Sequence, residues 1–131
     1  MHNHANLLLL LYGQARGKAS EYWGEHYLML DKKILAFDIP SIAEQIYTKQ
    51  KPEYKVCLDA FAKGINDYAA AHPENIDVAN KQVLPVKPQD ILAHGERVCY
   101  LEFLAPNDIG DALATIQSTV SIRSSSRNFG E

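Results

Sequence analysis

The sequence has few cysteines, a single tryptophan and no long apolar segment. The cysteines and the apolar segment each bear on a class of protein. Cys57 and Cys99 lie in no CxxC pair and at no histidine spacing typical of a zinc site. We predict that both thiols are buried as small hydrophobic groups. A disulfide between them is possible, and the sequence does not test it. The leucine run at 7–11 is far too short to span a membrane, which takes about 20 apolar residues. Because basic residues do not precede it and no small-residue cleavage site follows, it is not a signal peptide either.

The chain also lacks an excess of basic charge and the usual glycine-rich or catalytic motifs. Its formal net charge is −3, so we expect no nucleic-acid partner. It contains no P-loop, dinucleotide fingerprint, nucleophile elbow or HExxH motif. Hydroxyls at 124–126 have no base nearby in the sequence, so a nucleophilic role is not expected for them. The residues alone therefore indicate a helical domain without an active site of its own.

What the sequence does contain is helical periodicity along most of its length. With 131 residues it is one domain by length, mainly α, with six or so helices and no convincing strand hairpin. We predict a helical domain over 1–122 and a polar tail over 123–131. Helices are expected from the leucine run to about residue 16, over 18–23, 32–37 and 41–49, from 52 to 72, from 88, and from 107 or 108 to about 120. The segment 73–87 contains prolines and no strong period, so we predict a loop that is packed or functional.

Single residues give further expectations about where the helices begin and which faces they bury. Asp31 and Pro40 are predicted to start helices, and Gly17 to end one. The helix from Pro52 should bury an apolar stripe that recurs at steps of three and four: Tyr54, Leu58, Phe61, Ile65 and Tyr68. In the helix from Pro88, one side collects these residues: Ile91, Leu92, Gly95, Val98, Cys99, Glu102 and Phe103.

Polar residues that could carry chemistry have simpler interpretations. His94 is interpreted as a surface or hydrogen-bonded core histidine rather than a base. Asp108 and Asp111 lie three residues apart and could share a cation, but a solvated first helical turn explains them equally well. We expect Arg16 and Glu21 to pair across the turn at Gly17.

Several motifs resemble the alpha chain of the penicillin acylase family, which consists of N-terminal-nucleophile hydrolases. The stretch ARGKASEYWG at 15–24, followed by DKKI at 31–34, is similar to an early helix of that family. The stretch FAKGINDY at 61–68 resembles its Gly-x-Asn-x-aromatic helix end, and PQD at 88–90 resembles its Pro-x-Asp helix start. The resemblance extends from residue 3 to about residue 105, with the four motifs in the family's order.

This resemblance implies the helical portion of the alpha subunit of an αββα hydrolase. The family includes penicillin, cephalosporin and acyl-homoserine lactone acylases, which cleave N-acyl compounds. A self-cleaving precursor gives alpha and beta chains, and the catalytic serine is the first residue of the beta chain. That serine is expected in a Ser-Asn-x-Trp motif, which this sequence lacks. The implied partners are therefore a beta chain and an N-acyl small molecule, in a commonly periplasmic enzyme. This chain alone is expected to be inactive, and to self-associate if isolated.

The resemblance also implies which residues meet the substrate. In relatives the helix after Pro-x-Asp lines the acyl pocket, and the matching positions here are Cys99 and Phe103, with Val98 and Leu104 nearby. A structural role in the core is an equal alternative for each of the four. No cofactor is expected, although calcium is possible in the complete enzyme, with Asp108 as the only candidate ligand in this chain.

The alternative to a hydrolase subunit is a non-enzymatic helical interaction module. Both ends of the chain favour a part of a longer protein, since a helix of buried character starts directly after Met1 and a polar tail closes the sequence.

Overall fold

The structure is a computed structural model that describes residues 2–104 and residue 115. Within these residues the chain is helical and contains no strand, in agreement with the predicted mainly α class. Six α-helices follow one another as α1 His2–Ala15, α2 Ala19–Trp23, α3 Leu28–Ala36, α4 Ile39–Lys49, α5 Pro52–Ala71 and α6 Pro88–Val98. Short 3₁₀ turns occupy Glu25–Tyr27, Pro73–Asn75 and Val78–Val83, and a π-helical segment, Cys99–Leu104, continues α6. Apart from residue 115, the predicted helix at 107–120 lies outside the described residues, and so do Asp108 and the polar tail.

Helix α1 is the common wall of two hydrophobic cores. Its leucine run places Leu9 at 0% exposure while Leu7 remains 49% exposed, so the helix is buried on one side only. The first core lies between α1, α5 and the 73–87 segment, and contains Ala5, Leu9, Tyr12, Ala62, Ala69, Ile76, Val83 and Val86. The second joins the end of α1 to α3, α4 and α6 through Ala15, Ile34, Ile39, Ala43 and Ala93. No helix of the described part is long and apolar enough to span a membrane.

Two glycines shape the end of α1 for different reasons. Gly17 has a φ of 68° and donates its N–H to the carbonyl of Gln14, so it ends the helix in the left-handed conformation that glycine adopts easily. Gly13 lies under the indole of Trp23, and a Cβ there would overlap the ring. The indole cannot easily move, because its Nε1 donates a 3.1 Å hydrogen bond to Asn80 Oδ1. Tyr22 and Trp23 thus fill space against the first core.

The segment 73–87 is irregular but firmly attached, which confirms the prediction of a packed loop. Asn6 on α1 donates from Nδ2 to the Asn75 carbonyl at 2.9 Å, and its Oδ1 accepts from the Asp77 N–H at 2.9 Å. Asn66 on α5 makes a paired contact with the backbone of Val86, as donor at 2.9 Å and acceptor at 2.7 Å. Because buried backbone groups need partners, these amides replace the regular hydrogen bonds that the loop lacks.

Asp31 does not start a helix, contrary to the prediction. It lies inside α3, is 4% exposed, and its carboxylate accepts hydrogen bonds from the N–H groups of Ala19 and Ser20, both at 2.8 Å. The side chain therefore stabilises the free N–H groups at the start of α2, the preceding α-helix, 11 and 12 residues earlier in the chain. Pro40 does lie in the first turn of α4, as predicted.

The predicted faces of α5 and α6 are only partly correct. Helix α5 spans the expected residues, but Tyr54 and Phe61 of its apolar stripe are 57% and 53% exposed. Helix α6 buries Asp90, Ala93 and Arg97, so the side that the sequence marked as apolar is not the one that is most buried. The charged residues of this face can be buried because α6 packs against α1 and α4, and these two helices offer partners or apolar surface.

Both cysteine predictions were wrong. Cys57 and Cys99 are free thiols on exposed parts of α5 and the π-helical segment. Each lies on the outer side of its helix.

Candidate functional site

The four residues predicted to line an acyl pocket lie at the end of α6. Val98 is the last residue of α6, while Cys99, Phe103 and Leu104 belong to the π-helical segment. Cys99 is exposed, Val98 is half-buried, and Phe103 is 77% exposed. Phe103 is one of several large apolar side chains that the described residues leave exposed, together with Val78 and Phe61. The structure brings these residues together on one short segment, and their contact with substrate stays a prediction.

The inner side of the π-helical segment is held against the second core. The Tyr100 ring stacks on Phe37 with a centroid separation of 5.6 Å, and Leu101 packs against the same core. These contacts fix the segment on one side, so Cys99 and Phe103, four residues apart, face away from it. The sequence therefore folds locally to present two apolar side chains at the surface of a firmly packed helix.

A buried ion pair links the residue that follows α1 to the first turn of α6. Arg16, just after α1, donates from Nε to Asp90 Oδ1 at 2.8 Å and from Nη2 to Asp90 Oδ2 at 2.6 Å. The two side chains are 19% and 7% exposed. Arg16 also donates to the Tyr22 hydroxyl at 3.3 Å and to the Pro85 carbonyl at 3.1 Å. The expected Arg16–Glu21 pair is wrong, because Glu21 instead lies 4.0 Å from Lys18.

Asp90 has a second structural role in addition to the ion pair. Its Oδ2 accepts the N–H of Lys87 at 2.7 Å, which closes the first turn of α6. Burial opposes the positive charge of Arg16, but the hydrogen bonds and attraction of Asp90 outweigh that effect and raise the pKa of Arg16. Desolvation, followed by the Asp90 charge, raises the pKa of Tyr12 as well. Arg16 therefore keeps its positive charge, and its arrangement suits positioning better than proton transfer.

The sequence contains a signal for this pair that sequence reasoning missed. Arg16 belongs to the ARG motif and Asp90 to the Pro-x-Asp motif, but 74 positions separate them and no periodicity connects them. Only their opposite charges in two motifs of one family would have indicated a contact.

Two cavities lie away from the π-helical segment. A polar cavity of about 520 Å³ adjoins the Arg16–Asp90 pair and is lined by side chains of both charges, including Lys18, Glu44 and Lys87. An apolar cavity of about 420 Å³ lies between α1 and α5, where Leu8, Phe61 and Ile65 are among its walls. The walls of the first cavity contain no serine, threonine, cysteine or histidine, and those of the second contain no charged group.

His94 lies in the middle of α6. The hydrogen bond expected of a core histidine is not formed at its Nδ1. Its Nδ1 is buried and has no partner among the residues that the structure describes. The ring meets Tyr12 edge-on at a centroid distance of 6.0 Å. Burial first, and then the charge of Arg97, lower the pKa of His94, whereas Glu102 acts in the opposite direction. His94 is therefore mostly neutral at pH 7.

Within residues 2–104 and 115, no group of three histidine, cysteine or acidic side chains could hold a metal ion. The calcium candidate Asp108 lies outside this part of the chain, so its role stays a prediction.

The sequence model of the family described as Penicillin amidase matches residues 2–118. This match covers α1 to α6 and the π-helical segment, so it includes the buried ion pair and all four predicted pocket residues.

Proposed function

The chain belongs to the penicillin amidase family, and from this premise we propose that it is the helical part of an amide hydrolase. The nucleophilic serine would belong to a second chain, the beta chain of the same precursor. Two observations support this division. The described residues are mainly helical and contain no strand, and the exposed Phe103 offers a surface for a ligand.

In the proposed reaction the beta chain performs the chemistry. Its first residue, a serine, uses its own α-amine as the base and attacks the amide carbonyl to give an acyl-enzyme. Donors of the beta chain stabilise the oxyanion, and water then releases the acid. We propose a periplasmic or secreted location for the complete αββα enzyme. The present chain contributes the scaffold and part of the surface that binds the acyl group.

The acyl group would contact Cys99 and Phe103, with Val98 and Leu104 beside them. Each methylene that leaves water for this surface would stabilise the complex by about 0.8 kcal/mol. The stacking of Tyr100 on Phe37 supports this role, because it holds the segment in place before substrate arrives. A prepared surface loses less free energy to ordering when it binds an acyl chain.

Acyl-chain selectivity tests the proposal in the complete enzyme. Phe103→Ala should lower kcat/KM for an eight-carbon acyl substrate about ten-fold more than for acetyl, the equivalent of roughly two methylene contacts. Phe61→Ala is the matched control, since Phe61 is a similarly exposed phenylalanine on α5, at 53%. An equal loss for both acyl lengths in Phe103→Ala would show that the ring is only structural.

A non-enzymatic interaction module is the second candidate, favoured by the uncovered apolar side of α5. Tyr54 and Phe61, seven residues apart on this side, are both more than half exposed. The coding sequence distinguishes the two functions. A reading frame that continues into a chain beginning with Ser-Asn supports the hydrolase, and a stop codon directly after Glu131 supports the module.

A further inference from the structure

The polar cavity beside the Arg16–Asp90 pair lies at the surface, where a dissolved molecule can reach it. Its volume of about 520 Å³ is within the usual range of small-molecule sites. Four of its wall residues are exposed to solvent: Lys18, Glu44, Pro85 and Lys87. The half-buried and buried side chains of the ion pair form a firm base beside them. The cavity therefore combines an accessible mouth with a fixed polar wall.

The walls of this cavity carry more positive than negative charge, although the chain as a whole has a net charge of −3. Arg16, Lys18 and Lys87 contribute three positive charges, and Glu44 and Asp90 contribute two negative charges. The Asp90 carboxylate is already engaged, because it accepts hydrogen bonds from Arg16 and from the Lys87 N–H. With the Arg16–Asp90 pair balanced, two lysines face a single glutamate, and this excess favours an anion.

Both lysines keep most of their capacity to attract an anion. Lys87 makes no ion pair with another described residue. Lys18 lies 4.0 Å from Glu21, but both side chains are more than half exposed, so this pair contributes little. Glu44 weakens the attraction without cancelling it, since one negative charge is set against two positive charges. A ligand with a single negative charge therefore fits better than one with two.

The hydroxyl of Tyr22 adds a directed donor to the same wall. Arg16 Nη1 donates to its oxygen at 3.3 Å, so the hydroxyl hydrogen must turn elsewhere, and no described residue accepts it. The guanidinium is itself fixed by Asp90 and by a 3.1 Å hydrogen bond to the Pro85 carbonyl. The position of the hydroxyl is thus set before a ligand arrives. A hydroxyl that accepts from a cation is a strong donor to an oxyanion.

Apolar surface in the cavity narrows the class of anion. Pro40, Leu84 and Pro85 lie in its walls together with Tyr22. An inorganic anion would leave this surface in contact with water. An organic acid can cover it with its hydrocarbon part, and the removal of apolar surface from water stabilises the complex.

We propose that the polar cavity binds a small organic carboxylate. The carboxylate accepts a hydrogen bond from the Tyr22 hydroxyl and is attracted by the ammonium groups of Lys18 and Lys87. Its hydrocarbon part packs on Pro40 and Leu84. The inference does not depend on the proposed function, because every group that it uses belongs to the described part of this chain.

Titration of the purified, isotope-labelled protein with butanoate, followed by NMR at pH 7 and constant ionic strength, tests the site. The backbone N–H signals of residues 18–22 and 84–90 should shift and saturate, with a Kd of about 1 mM. Butanamide has nearly the same shape without the charge, and should cause no saturable shift in this range. Inorganic phosphate has charge without a hydrocarbon part, and should bind about ten-fold more weakly than butanoate.

Substitutions in the wall should change the affinity for butanoate in opposite directions. Lys87→Gln removes an exposed positive charge and should weaken binding about three-fold. Tyr22→Phe keeps the ring without the O–H group and should weaken binding about ten-fold. Glu44→Gln removes the opposing charge and should strengthen binding about two-fold. Lys63→Gln is the matched control, because Lys63 is an exposed lysine on α5 outside the cavity walls, and it should leave the Kd unchanged.

The possible results separate a carboxylate site from its alternatives. Equal weakening in Lys63→Gln and Lys87→Gln would show only an effect of net charge and would overturn the inference. Weaker binding in Glu44→Gln would identify a cationic or zwitterionic ligand, and phosphate as tight as butanoate would identify a general anion site; either result would overturn it. So would shifts that do not saturate, or unchanged binding in both Lys87→Gln and Tyr22→Phe. Saturable binding of butanoate with the expected order of variants would establish the site.

Discussion

The Arg16–Asp90 pair should contribute more to stability than any other polar contact that the structure shows. Removing one partner of a buried ion pair costs about 3–5 kcal/mol, because the remaining charge stays buried. Since 19% of the Arg16 side chain and 7% of the Asp90 side chain are exposed, we expect the lower end, about 3 kcal/mol, for Arg16→Met or Asp90→Asn. Urea unfolding of each variant would measure this as a lower midpoint at an unchanged slope.

A double-mutant cycle isolates the pair from the other contacts of its members. The double variant should lose clearly less than the sum of the two single losses, because each single change leaves a charge without its partner. Lys18→Ala with Glu21→Ala is the matched control, since that pair is 4.0 Å apart and more than half exposed. Its coupling should be below about 0.5 kcal/mol. A coupling for Arg16 and Asp90 as small as that of the control would refute the argument from burial.

Three other predictions concern packing and protonation. Leu9→Ala should cost about 2–5 kcal/mol of unfolding free energy, whereas Leu7→Ala on the same helix should change it by less than about 0.5 kcal/mol. A similar loss for both in urea unfolding would contradict the one-sided burial of α1. Gly13→Ala should destabilise by about 1–3 kcal/mol because its Cβ would overlap the indole, while Gly64→Ala, with open space around it, should be stabilising by up to about 1 kcal/mol. Thermal midpoints that move in the same direction would count against the close approach. Because the pKa of His94 is lowered in the folded state, the unfolded state binds its proton more readily, so stability should fall as pH decreases through about 6.5 and below. His94→Gln should remove this part of the pH dependence, and an unaltered pH profile would disprove its origin in His94.

The sequence predicted the helices well because their signals are local. Pro40, Pro52 and Pro88 each lie in a first helical turn, and Gly17 ends α1, as the residue types require. The exception is Asp31, where the local preference for a helix start lost to N–H groups of α2. The burial of whole faces was harder to predict, because it depends on which neighbour covers them.

The candidate site shows the same division between local and distant information. Phe103 could be selected from its spacing after the Pro-x-Asp motif, and the structure places it at the surface with Cys99. The burial of Arg97 could not be predicted, because a lone arginine in a helix is usually solvated and nothing in its neighbours predicts 9% exposure. Its burial follows from the crossing of α6 over α1 and α4, which the sequence does not reveal.

The side-chain amides of Asn6 and Asn66 are hydrogen-bonded to residues 73–87, and these bonds restrict how the segment can vary in length. Surface loops usually tolerate inserted residues at little thermodynamic cost. Here an insertion between Asn75 and Val86 would shift carbonyl and N–H groups away from the fixed amides of Asn6 and Asn66, and would leave them unpaired. The junction at Lys51, between α4 and α5, is exposed, and no side chain from a distant described element is hydrogen-bonded to it. Engineered tags or accessory loops should therefore be accommodated there, while the irregular stretch is constrained as tightly as a helix.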